Sequence, residues 1–301
     1  MDEEELMPED TGPNYRFNPT WFAVISLMIV FFLYQAVGGG LTVYLFGIIP
    51  SHDQTIAFRF ATMAAEVLFI LIPAIFLSRI QTMRWKELLR IKKTDFTFIL
   101  LAAVGVVSLE QLLELYLYLQ GLIPLPGPMQ HLVDQLQKTI QETYRILLAA
   151  HGPWQFLFVL LVIGITPAIC EEMLFRGLVQ GNFEKSMPRR KAIIVTGLIF
   201  GLYHLDPFTF VALCALGIYL SYLVSVSESI IVPMVGHFMN NFVSAFVLYA
   251  FHKDSIIAPS GARPLSVGYI IAWSVFFALI FVVTIRLTEK HSNNIREARL
   301  Q

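Results

Sequence analysis

Between residues 171 and 241 the sequence sets three short polar groups inside otherwise apolar runs: Glu171-Glu172-Met173-Leu174-Phe175-Arg176, Phe200-Gly201-Leu202-Tyr203-His204 and His237-Phe238-Met239-Asn240-Asn241. On a helix, Glu172 and Arg176 are four apart, share a face and can pair. Glu171 then points about 100° away and is free for other work. His237 and Asn241 are also four apart and can address one point in space. A carboxylate, two imidazoles and a carboxamide form a hydrolytic kit. Glu171 could act as general base on a water, with His204 sharing that water or stabilising charge. His237 and Asn241 could hydrogen-bond the oxyanion of a tetrahedral intermediate. In the metal version, Glu171, His204 and His237 are three ligands to a zinc ion with a fourth position open to water. Each group alone has a plainer reading: an ion pair that docks helices, a hydrogen-bonded core histidine, an interhelical polar contact.

The elements that must carry these residues are transmembrane helices. Of the 301 residues, 56% are hydrophobic and only 14% charged, a deficit no ordinary soluble domain shows. The net charge of −1 gives no reason to expect nucleic acid as a partner. Apolar runs of the length a bilayer demands, about 20 residues each, predict an all-α bundle of about eight spans. They cover roughly residues 21–50, 56–80, 96–123, 154–184, 192–205, 207–226, 230–251 and 266–287. An ionisable group in hydrocarbon costs at least ~2.5 kcal/mol on insertion scales, so the intramembrane charges are functional candidates by default. At ~1.5 Å per residue, Glu171 lies ~25 Å below the outer end of its span, and His204 and His237 lie ~18 Å and ~10 Å above the inner ends of theirs. The three fall at roughly compatible heights.

Lys and Arg set the orientation. Arg79, Arg84, Lys86, Arg90, Lys92 and Lys93 lie between the second and third spans, Lys185, Arg189, Arg190 and Lys191 between the fourth and fifth, and Arg286, Lys290, Arg296 and Arg299 at the C-terminal end. With eight spans these fall on one side and only Lys138, Arg145, Lys253 and Arg263 on the other, so both termini are expected in the cytoplasm. The chain thus divides into an acidic tail (1–19), three spans (20–123), an amphipathic segment on the outer surface (124–153), the chemistry-bearing core (154–251), and a last span with a basic tail (252–301). In the amphipathic segment His131, Asp134, Gln137, Lys138, Gln141, Glu142 and Arg145 alternate with Leu132, Leu136, Ile140, Ile146 and Leu147 at helical spacing. Pro167 should leave the Ile163 carbonyl without its helical partner and kink the fourth span beside Glu171. Arg59 and Glu66 share a face of the second span; Glu110 and Glu114 could line a water-filled cavity; Glu228 is expected at a helix start, where it suits the dipole. Cys170 and Cys214 read as buried free thiols. The acidic start lacks the basic region of a signal peptide. Together with the compact length, that predicts a bacterial inner membrane.

The three groups resemble, in order and on the expected helices, the motifs of the CPBP family, which includes type II CAAX prenyl endopeptidases and bacteriocin-immunity-like proteins. The resemblance covers roughly residues 154–250. It implies an intramembrane endopeptidase with a water-filled cavity open to the cytosol, acting on a protein or peptide substrate that can be lipidated, amid membrane lipids. Carried over to this chain, Glu171 and His204 would activate water, His237 and Asn241 would support the oxyanion, and Glu172 and Arg176 would brace the site. The sequence has no His-Glu-x-x-His, and an Asn one turn after His237 suits an oxyanion donor better than a zinc site, which favours a metal-free reaction. Two rivals predict different patterns. A transporter would spread charges through both leaflets and often show repeat symmetry, which is not evident here. A non-proteolytic scaffold or immunity protein of the same family would be expected to lose one of the four residues, and none is missing.

Overall fold

The computed structural model describes residues 14–251 and 265–300. The acidic residues Asp2, Glu3, Glu4, Glu5, Glu9 and Asp10, together with Lys253 and Arg263, lie outside the described residues. The architecture is all-α: α1 (Pro19–Phe46), α2 (His52–Gln81), α3 (Phe96–Gly121), α4 (Gly127–Leu148), α5 (Pro153–Ser186), α6 (Arg189–Tyr203), α7 (Phe210–Ser227), α8 (Ile231–Phe251) and α9 (Val267–Leu300). Seven of them, all but α4 and α6, are long and apolar enough to cross a membrane. The protein is an integral membrane protein.

The expected eighth span is the correction. What reads as a fifth span is α6, whose 15 residues reach ~22 Å against the ~30 Å of a hydrocarbon core. The chain breaks at His204, and the Leu205 backbone turns into the left-handed region with φ 53°. Asp206 then caps the next turn, its carboxylate accepting from the Phe208 N–H at 2.9 Å and the Thr209 hydroxyl at 2.7 Å. The short helix nevertheless keeps the parity of the topology. The Lys92–Glu228 ion pair, the Arg90–Glu184 pair and the Arg189 bond to the Ser225 carbonyl gather the starts of α3 and α6 and the ends of α5 and α7 at one basic end. Ser292 of α9 bonds the Val226 carbonyl there too.

α6 and α7 run back to back because glycines let them. A Cβ built on Gly197 would sit 2.4 Å from the Ile218 backbone nitrogen, and one on Gly201 would sit 2.4 Å from the Cys214 sulfur. Small residues here let the two helix backbones approach closely. Gly197→Ala meets backbone that cannot step aside, so a loss of about 1–3 kcal/mol is expected. Thermal unfolding in detergent checks it: an unchanged midpoint would mean the two helices can separate without cost.

α5 is the central helix. Every residue from Cys170 to Phe183 is buried, so a face that reads as polar in sequence has no solvent to meet. Its polar side chains bond to α7 at four-residue intervals. Arg176 donates to the Gly217 carbonyl at 3.0 Å, Gln180 to the Ser221 carbonyl at 3.0 Å, and the Ser225 hydroxyl to Glu184 at 2.8 Å. Two segments of α5 widen into π-turns, Leu160–Ile165 and Met173–Val179, on either side of the adjacent carboxylates. Such turns recur at functional sites because they re-aim side chains. The first precedes Pro167, where the kink was expected.

α4 is the predicted amphipathic helix, and Arg59 explains how it is moored. Arg59 is 3% exposed. It bonds the Leu147 carbonyl at 2.9 Å, the Ile146 carbonyl at 3.1 Å and the Ala149 carbonyl, so its cation closes the C-terminal end of α4. Buried charge-assisted bonds are worth roughly 2 kcal/mol, which multiplies an undocked population by about 30 when removed. Arg59→Met is thus expected to speed limited proteolysis within 127–148 by that order, leaving the remaining helices protected; unchanged cleavage there would contradict the mooring. Glu228 also departs from expectation. It is the C-cap of α7 with φ 55°, paired to Lys92 at 2.8 Å, and does not start a helix. Cys170 and Cys214 are free and buried, as read from sequence.

Candidate active site

The adjacent carboxylates of α5 turn apart, and each meets one histidine. Glu171 Oε2 stands 3.7 Å from His204 Nε2, beyond direct hydrogen-bond reach but within the span one water bridges. His204 is the C-cap of α6. Its Nδ1 lies 2.7 Å from the Phe200 carbonyl, an acceptor, so the ring proton belongs on Nδ1 and Nε2 presents a lone pair to Glu171. The break in α6 thus has a use: it frees the His204 ring to fold back on its own last turn.

Glu172 is fully buried and serves two partners through one oxygen. Oε1 accepts from Arg176 Nη1 at 2.9 Å and from His237 Nδ1 at 2.9 Å. The expected i,i+4 pair forms despite the π-turn. Its contact with His237 went unforeseen, because 65 residues separate the two and only the docking of α8 on α5 joins them. A carboxylate on Nδ1 fixes the ring and leaves Nε2 available to another partner. The Arg176 guanidinium also lies 4.4 Å above the Phe200 ring, and that ring contacts both His204 and His237 edge-on, with centroids 4.7 and 5.8 Å apart. Phe200 is therefore the wedge that spaces the two imidazoles.

Asn241 has a partner that the sequence all but names. Its amide donates at 2.8 Å to the carbonyl of Ile163, the group that Pro167 cannot serve. One amide proton repairs α5; the second remains. The structure thus brings Glu171 to His204, Glu172 and Arg176 to His237, and Asn241 to α5.

The zinc set fares differently. Among the described residues no group of three His, Cys, Asp or Glu side chains is gathered so as to hold a metal ion, and Glu171, His204 and His237 do not form one. The donor geometry does not fit the three-ligand zinc site.

Glu66 is the acidic residue whose place sequence reasoning missed. It is 5% exposed, accepts from the Tyr34 hydroxyl at 2.9 Å, and lies within the electrostatic field of Glu171. A carboxylate without a cation in the middle of an apolar span was the signal. Glu110 is buried against Ser244 of α8, whose hydroxyl donates to it at 3.1 Å. Two surface cavities, one beside Lys92, Lys93 and Arg296 and one beside Arg59 and Trp154, lie away from the Glu171–His204 pair.

Residues 153–243 match the family model described as type II CAAX prenyl endopeptidase Rce1-like. The matched segment runs from the start of α5 past Asn241, and so holds Glu171, Glu172, Arg176, His204, His237 and Asn241 but not Glu66 or Tyr34. Over that segment the chain is similar to this family of CAAX-type intramembrane proteases, consistent with the resemblance to the CPBP family. No curated protein and no solved structure matches the chain.

Proposed function

We propose that the protein is an intramembrane endopeptidase that hydrolyses peptide bonds of membrane-associated or lipidated proteins with a water activated by Glu171 and His204. The observation that carries this reading is the Glu171–His204 pair, 3.7 Å apart, with a free lone pair on one partner and a carboxylate on the other. Glu171 takes a proton from water while the oxygen attacks the scissile carbonyl. The proton then passes, directly or through His204, to the departing amine as the C–N bond breaks. His237 and the second amide proton of Asn241 face the oxyanion. His237 can donate from Nε2 while Nδ1–H stays on Glu172 only as the imidazolium, and the Glu172 carboxylate supports that charged ring as it forms. We read the reaction as metal-free, a reading supported by the lack of a gathered three-ligand group among the described residues. The basic end, with both termini, faces the cytoplasm of a bacterial inner membrane by the positive-inside rule.

The test is cleavage of a panel of membrane-protein and lipidated-peptide substrates by the purified protein in detergent, with and without chelator. Cleavage that persists with chelator supports the reading. Loss with chelator and rescue by zinc would replace it with a metalloenzyme. An inert wild type across the panel would leave a scaffold or immunity role as the better account.

A further inference from the structure

Three buried oxygens around Glu171 have no hydrogen-bond partner within the chain: Glu171 Oε2, Glu66 Oε2 and the Tyr203 hydroxyl. They come from three helices. Their residues are 8%, 5% and 6% exposed, so bulk solvent does not satisfy them. Their helices pack against one another, and the charge of Glu171 reaches both Glu66 and Tyr203. Tyr34 ties the group into one unit, its hydroxyl donating to Glu66 Oε1 at 2.9 Å and its ring stacked on Tyr203 with centroids 6.4 Å apart. Gln35, the next residue, donates to the Tyr203 carbonyl at 3.0 Å and fixes that end of α6 beside His204. α1 and α2 lie outside the segment matched to the protease family, yet they supply a second carboxylate to the reacting carboxylate's surroundings.

Buried polar atoms that lack partners in the chain are characteristically joined by a buried water making about three hydrogen bonds. A phenol donor and two carboxyl oxygens, each buried and unpartnered within the chain, are the partners such a water takes. Resting on the hydrolase reading, we infer that Glu66, held by Tyr34, is a positioning residue that fixes the water taken up by Glu171, with the Tyr203 hydroxyl as its third contact. Glu66 exchanges no covalent bond with the substrate. It sets where the water's oxygen stands relative to Glu171 and leaves the proton transfer to Glu171 and His204. The site so built has two walls, one from α5 and α6 and one from α1 and α2. A substitution on the second wall therefore acts on turnover without touching the substrate.

The experiment compares Glu66→Leu, Glu66→Gln and Tyr34→Phe with wild type for kcat, KM and thermal midpoint on a substrate that the wild type cleaves. Leu fills similar volume but cannot hydrogen-bond; Gln can accept from Tyr34 and still bond a water. The expected result is a fall of roughly 10- to 100-fold in kcat for Glu66→Leu at unchanged KM, a severalfold fall for Tyr34→Phe, and recovery to within severalfold of wild type in Glu66→Gln. Wild-type kcat in Glu66→Leu overturns the inference, and so does a Glu66→Gln variant as slow as Glu66→Leu. A parallel fall in midpoint and activity across all three also overturns it, as a packing role would produce. The readout free of activity is an experimental structure at a resolution that places waters. A water bonded to Glu66, Glu171 and Tyr203 supports the inference; a dry contact or an acyl chain there sinks it even in a protein that cleaves. An inert wild type whose structure contains that water defeats the hydrolase reading, not the water site.

Discussion

Glu171→Gln is expected to reduce kcat by 10²–10⁴-fold, the range a positioned general base contributes, while KM changes little. The variant keeps the volume and the capacity to hydrogen-bond a water, and it loses only the ability to hold that water's proton. Stability should move the other way. Glu171 is 8% exposed with one oxygen unpartnered, so the native protein bears the desolvation of a buried carboxylate. A neutral amide relieves that, and the thermal midpoint in detergent is expected to hold or rise. The opposed directions are the diagnostic part, since damage to the fold lowers activity and stability together. His204→Asn should lower kcat as well, through loss of the Nε2 lone pair that faces Glu171 at 3.7 Å. A Glu171→Gln protein with wild-type kcat would remove the carboxylate from the reaction, and with it the endopeptidase mechanism proposed for this chain.

The residues that were legible from sequence are those whose partners lie within a turn or two of helix. Glu172 and Arg176 are four apart and pair at 2.9 Å, and helical geometry alone places them. Pro167 removes one donor at a known position, so an acceptor at Ile163 had to be served from elsewhere, and Asn241 serves it. Hydropathy delimited the long spans because backbone groups in a bilayer have no alternative to the helix. What stayed hidden depends on which helix docks on which face. Glu66 belongs with Glu171, and Glu172 with His237, only because α2 and α8 both pack against α5; no periodicity within α2 or α8 encodes that. The shortness of α6 was hidden for a different reason. Leu202 and Leu205 keep the run apolar through a break that the backbone makes at His204, and hydropathy counts side chains, not dihedral angles. The three carbonyls that Arg59 bonds at the end of α4 are likewise set by how the helices dock.

Arg176→Met should give the largest loss of stability in the molecule. Arg176 and Glu172 are both fully buried, and breaking such a pair leaves the surviving charge without compensation, at a cost of about 3–5 kcal/mol. The remaining contact of Glu172, the His237 ring, is neutral unless it takes a proton, and the Gly217 carbonyl loses its donor as well. Methionine matches the bulk of arginine without its charge, so the loss is electrostatic and not a cavity. The double variant Glu172→Gln, Arg176→Met removes both charges and should recover most of that stability, because a buried ion pair replaced by neutral groups of similar volume is often no less stable. Activity should not recover with it. A glutamine at 172 still accepts from His237 Nδ1 and keeps the ring oriented, but it offers no negative charge to an imidazolium. Loss of a carboxylate that supports a functional histidine costs about 10–100-fold. Stability restored with turnover still low would separate the two duties of Glu172, balancing Arg176 and supporting His237. If Arg176→Met unfolds at the wild-type temperature, the pair is not a compensated charge in the protein's interior, and the bracing role assigned to it fails. If the double variant regains full activity, His237 does not need its carboxylate, and the oxyanion must be held by Asn241 or by backbone.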